Sequence, residues 1–232
     1  MQMAAQEKFI FEGSIDYERK INMHRQMPEG EMDNLFQEFI SKTPVFHNSM
    51  FTLQFKGNRT LYKPAGEIPA TQVPWLMGPA KENVVLNDLE KGERQSIKAV
   101  FEKRFLVSDF LLPVKWRITN EKRDIGGFEC RKAVTIICDS VYVVAFYAEE
   151  IPVSSGPESF GGLPGMILGL AIPRLNTTWF ATRITLSAPP AIALDVKGRI
   201  ERTNTVKLQN TLKSFMNVWA KYGAKNTWWV ML

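Results

Sequence analysis

Three times along this chain two alternating runs meet at a tight turn, with no helix-length segment between them. "FTLQFKGNRTLYK" (51–63) pivots on Gly57-Asn58 and "VVLNDLEKGERQSIKAVF" (84–101) on Lys91-Gly92. "FECRKAVTIIC" (128–138) meets "VYVVAFYA" (141–148) at Asp139-Ser140. Glycine reaches the positive φ that such turns demand, so these are hairpin signals. "TWFATRITL" (178–186) is a further alternating run. Parallel strands need a long crossover, which consecutive hairpins do not supply. The pattern predicts a mainly β fold: a curved antiparallel sheet, half-barrel-like or a sandwich, with one or two packed helices.

Two segments carry helical periodicity instead. In residues 31–42, Met32, Leu35, Phe36, Phe39 and Ile40 share a face; acids lead the run, Lys42 trails it and Pro44 stops it. In residues 206–222, Leu208, Leu212, Phe215, Trp219 and Tyr222 form a stripe ending at Gly223, with Lys207, Lys213 and Lys221 opposite. That helix either packs on the sheet with its basic face solvated or makes peripheral contact with a membrane surface. Prolines at 64, 69, 74 and 79 predict a long irregular loop with Trp75 at its tip. The closing "NTWWVML" is apolar and is expected to be tucked in.

With 232 residues, 45% hydrophobic, the chain has apolar material for one core, and a single domain over 6–232 is expected. Residues 1–5 read as a leader remnant or a disordered start: small residues precede Gln6, without the basic and apolar parts of a leader. The net charge is +5, but residues 197–225 hold seven basic side chains against Glu201 alone. The rest is nearly neutral, so a nucleic-acid surface is not expected. No apolar run reaches the roughly 18 residues of a transmembrane helix.

Residues 152–165 are half glycine and proline and run straight into the apolar stretch 166–172. A phosphate loop would need a lysine after its glycines, or a Gly-x-Gly between strand and helix, and neither is present. The apolar stretch is too short to span a bilayer. What remains is a backbone corner leading into a buried strand.

The corner also carries a resemblance. Ala145-Phe146-Tyr147, Glu150-Ile151-Pro152, Gly156-Pro157 and Phe160-Gly161-Gly162-Leu163-Pro164-Gly165-Met166-Ile167-Leu168 resemble the signature of the GLPGLI family. Trp116, Ile125, Gly127-Phe128, Cys130 and Lys132-Ala133 are similar to the run that precedes it, so the resemblance covers residues 110–172. Met166 stands where the family usually has leucine, and Phe146 where it often has tryptophan. The resemblance implies an exported envelope protein of Bacteroidetes type, periplasmic or outer-membrane-associated. It further implies an accessory role in TonB-dependent transport, with an outer-membrane receptor as partner; a small apolar ligand is the alternative partner expected.

Catalytic sets are scarce. Histidine occurs only at 24 and 47, with no HExxH pair. There is no G-x-S-x-G elbow, so Ser154 and Ser155 read as loop serines. Cys130 and Cys138 would sit about 26 Å apart on one continuous strand, beyond disulfide reach, and read as small buried hydrophobes. No cofactor and no metal site is expected. Lys132 is the unusual residue, in a row with Phe128, Cys130, Val134, Ile136 and Cys138. A two-residue turn at Asp139-Ser140 sets it opposite Tyr147, with Glu149 on the diagonal. It either snorkels or ion-pairs at a sheet edge, or stands in a concavity filled by water or ligand. The candidate binding set is therefore Lys132, Tyr147 and Glu149 with the corner residues Gly156, Pro157, Gly162, Leu163, Pro164 and Gly165, the corner lying at the concavity's rim. The expected function is non-catalytic binding, the alternatives being a lipid or lipoprotein carrier and a secreted hydrolase.

Overall fold

The computed structural model of the chain describes residues 9–26, 38, 41–66, 82–100, 103–216, 229, 230 and 232. Strands form where the two-residue alternation is. β1 (Glu12–Asn22), β2 (Phe46–Lys56), β3 (Arg59–Pro64), β4 (Val84–Asp88) and β5 (Glu93–Val100) lead. β6 (Lys103–Phe110), β7 (Arg117–Ile125), β8 (Phe128–Ile137) and β9 (Val141–Ala148) follow. β10 (Met166–Ile172), β11 (Thr177–Thr185), the short β12 (Glu201–Thr203) and helix α1 (Thr205–Met216) complete the chain. The Gly57 and Gly92 turns take positive φ, at 54° and 67°.

One sheet holds all twelve strands, in the order β12-β6-β5-β4-β3-β2-β1-β11-β10-β9-β8-β7. Every pair is antiparallel except β12, which lies parallel on β6. Its curvature follows from one connection. β6 and β7 stand ten strand positions apart, which in a flat sheet is roughly 48 Å at about 4.8 Å per strand. Only residues 111–116 link them, a reach of at most about 25 Å. The sheet must therefore curl until its two ends approach, and it stays open, without β6–β7 pairing. The expected curved sheet stands, as a single half-barrel rather than a sandwich.

The enclosed face is the core. Tyr17, Phe51, Leu53, Phe55, Tyr147, Leu170 and Trp179 are fully buried on it. Trp229 packs on Trp179 with ring centroids 6.3 Å apart, and Trp229, Val230 and Leu232, the described residues of the closing run, are buried. α1 lays Leu208 and Leu212 against Val100, Phe105 and Val107 of β5 and β6, together with Val230. Trp219 and Tyr222 of its predicted stripe, most of the predicted 31–42 helix and residues 67–81 of the proline-rich loop lie outside the described residues.

One register differs from expectation. The β8–β9 turn has three residues, 138–140, because Cys138 and Asp139 both take left-handed φ, at 48° and 61°. Ile137 then faces Val141 and Lys132 faces Phe146, so Tyr147 is opposite Arg131. One residue of slip moves a side chain to the other face. Lys132 and Tyr147 are therefore on opposite faces of the sheet. Cys138 is exposed in the turn and only Cys130 is buried; both are free thiols.

Candidate functional site

The glycine-and-proline corner does not stay at the rim. It leaves β9, closes on itself through a bridge between Ser155 and Gly161, and crosses the enclosed face as a strut. Its own backbone bonds make burial tolerable: Ser155 N–H donates to Val153 O, Phe160 N–H to Pro157 O and Ile167 N–H to Ser155 O. Gly156, Pro157, Leu163 and Gly165 are buried, whereas Gly162 and Pro164 are exposed. Trp116 Nε1–H donates to Gly161 O at 2.8 Å and clamps the outer end.

At the strut's inner end lies a polar cluster. Ser155 Oγ and Thr60 Oγ1 are 2.9 Å apart. Asn83 Nδ2 donates to Glu158 Oε2 at 2.8 Å, and Tyr62 O–H to Oε1 at 3.4 Å. Glu158 is fully buried at a left-handed φ of 55°. Burial pushes its carboxyl up, opposed by Arg19, Asn83, Lys98 and Tyr62. Arg19 extends the buried row Ile15, Tyr17, Arg19, Ile21 of β1; its Nε donates to Ser49 Oγ at 3.1 Å, and its guanidinium stacks on Phe51 at 4.7 Å. From β5, Lys98 enters the same interior. Burial pulls its ammonium down to about 8, with Glu158 opposing and Arg94 adding.

Where the two ends of the sheet approach, the seam holds a cleft of about 870 Å³. Residues 112–115 and Arg117, strands β8 and β9, Phe160 of the strut and α1 line it. Four of the exposed large apolar side chains, Leu112, Ile136, Tyr142 and Val206, converge there, so the floor is apolar. Arg94, Lys115 and Arg117 supply positive charge on its walls. Arg94 is itself anchored, Nε–H donating to Asn87 Oδ1 and an Nη–H to Ser159 O.

The residues singled out in the sequence are divided by this geometry. Lys132 Nζ pairs with both oxygens of Glu121, at 2.8 Å, on the outer face. Tyr147 O–H donates to Glu149 Oε1, which also accepts from Arg131. Neither group reaches the cleft. Lys132→Met is expected to shift stability by less than about 1 kcal/mol in chemical denaturation, because part-exposed pairs contribute little. Arg19, Lys98 and Glu158 escaped the sequence reading. Arg19 was visible as a charge inside an apolar alternating row; Glu158, in a loop without period, gave no such signal.

Nucleophilic chemistry has no support among these groups. Burial pushes the Cys130 thiol up to about 12. Ser154 Oγ accepts from Gly162 N–H rather than facing a base. Among the described residues no cluster of three metal-ligating side chains occurs.

Comparison with curated proteins finds no match. Among solved structures the chain is similar to PNGF-II, seen in a C2 and a P21 crystal form, at 14% and 15% identity with TM-scores of 0.54 and 0.53. Each alignment covers 86% of this chain and 32% of the other, so the chain spans about a third of that protein's length. At such identity the likeness shows the fold alone. Residues 137–169, from the β8–β9 turn through the strut into β10, match the model of a family described as a protein of unknown function (Porph_ging).

Proposed function

We propose that this is a non-catalytic binding protein of the cell envelope, an accessory to outer-membrane transport, and that it holds an apolar ligand in the seam cleft. The observation that carries the binding reading is the cleft itself: exposed apolar side chains converge in a concave seam whose walls carry cationic groups. Pockets of this size with an apolar floor and few polar groups are the usual form of small-molecule sites. The envelope assignment is supported by the resemblance of residues 145–168 to the GLPGLI signature. The hydrolase alternative lacks an activated nucleophile at Cys130 or Ser154.

A neutral fluorescent probe such as N-phenyl-1-naphthylamine tests the cleft. The expected result is saturable binding that weakens about tenfold or more in Ile136→Glu and Val206→Glu. Both side chains are 63% exposed, so neither change is expected to lower the melting temperature appreciably. Unaltered probe affinity in both variants would refute the cleft reading. Affinity purification from native envelopes tests the transport role, which fails if no outer-membrane component is retained.

A further inference from the structure

Beside the cleft lies a chamber of about 70 Å³, and the two share Arg94, Leu112, Ser159 and Thr205 as walls. The chamber sets polar groups that the cleft does not have, Ser96, Lys98 and Asp109, among the apolar side chains of Val107, Phe110, Leu208 and Val230. Lys98 is 6% exposed, and its Nζ makes no hydrogen bond among the described residues. A buried ammonium without a partner is strongly unfavourable. The other charges at the chamber are engaged. Asp109 Oδ2 accepts from Thr205 N–H, and Arg94 donates to Asn87 and Ser159. Glu158 acts on Lys98 from a distance while bonded to Asn83 and Tyr62.

We infer that the ligand of the seam cleft is a single-chain amphiphile whose carboxylate head enters this chamber and pairs with Lys98, its apolar chain lying along the cleft. The inference rests on the cleft being a binding site, and it adds the ligand's class. Three features select the head group. Lys98 and Arg94 against Asp109 leave one net positive charge at the chamber, which matches a monoanion. A dianion would meet the Asp109 carboxylate. The volume is that of about two waters, enough for a carboxylate and little more.

Isothermal titration at pH 7 with dodecanoate, dodecanol, dodecyltrimethylammonium and dodecyl phosphate decides it. In the wild-type protein dodecanoate is expected to bind about tenfold tighter than dodecanol, and the cationic chain to bind weakest. Dodecyl phosphate is expected to bind no tighter than dodecanoate. In Lys98→Met the advantage of dodecanoate over dodecanol is expected to fall to about twofold or less, while dodecanol keeps its affinity. Equal wild-type affinities for acid and alcohol, or an undiminished advantage in the variant, would overturn the head-group assignment and leave the cleft reading intact. So would tighter binding of the phosphate. If neither dodecanoate nor dodecanol binds, the cleft reading falls and this one with it. The wild-type comparison stands alone should the variant prove insoluble.

Discussion

Gly165→Ala is expected to destroy the native fold or to lower its stability by at least about 3 kcal/mol, whereas Gly162→Ala folds and loses only about 1–2 kcal/mol. The two glycines serve the same corner for different reasons. Gly162 has φ +85°, which side-chain-bearing residues adopt at a modest penalty, and a Cβ there meets nothing nearer than Trp116 at 3.7 Å. Gly165 carries no positive φ, yet a Cβ there would sit 2.1 Å from Ala148 O and 2.7 Å from its carbonyl carbon. A backbone carbonyl cannot rotate aside as a side chain does, and this one belongs to the end of β9, beside the Met166–Ala148 pairing. Relief requires the strut to move away from β9, which would pull Glu158 from Tyr62 and Asn83. Urea denaturation of both purified variants, followed by circular dichroism, reads the difference. A Gly165→Ala midpoint equal to that of wild type would mean that β9 and the strut are not in contact here.

The hairpins were legible because a two-residue period and a glycine turn are local properties of the chain. The β2–β3 and β4–β5 turns fall at Gly57 and Gly92, as the sequence predicts. The β8–β9 register was not, because Asp139-Ser140 contains no glycine to mark the turn, and Cys138 joined it in a left-handed conformation. The place of β1 between β2 and β11 depends on pairing across more than 150 residues, on which local alternation is silent. The cleft fell outside sequence reasoning for the same reason. Arg94, Leu112, Ile136 and Val206 share no motif, and only the curl forced by the short β6–β7 link brings them together. The corner was recognisable by composition, but its destination was not. Glycine and proline describe a bend, while the hydrogen-bonding of Ser155 and Glu158 decides that the bend points inward.

Glu158→Ala and Lys98→Met are expected to move stability in opposite directions. Glu158→Ala is expected to destabilise by about 3–5 kcal/mol, because it removes the carboxylate that offsets the burial of Arg19 and Lys98 and strips Asn83 Nδ2 of its acceptor. Lys98→Met removes a buried ammonium in favour of an apolar side chain of similar length, and is expected to stabilise by about 1–2 kcal/mol at pH 7. The pH dependence separates this effect from simple repacking. The folded protein holds Lys98 at about 8 against an ordinary 10.5, under burial and Arg94, opposed by Glu158, with Asp109 on the facing strand. Below pH 8 both states carry the proton and the penalty is fully present. Between about 8 and 10.5 the unfolded chain keeps a proton that the folded protein has released, so wild-type stability rises with pH. The interval of 10.5 − 8, or about 2.5 pKa units, bounds that rise at roughly 3 kcal/mol. Lys98→Met lacks it, so the variant's advantage is expected to shrink from pH 8 upward, to vanish near about pH 9 and to have changed sign by about pH 10.5. Taking the difference between the two denaturation series cancels every other group that titrates alike in both proteins. A difference that stays constant from pH 7 to 11 would place the ammonium in water in the folded protein, and the chamber would then lose the unsatisfied charge on which its choice of an anionic ligand depends.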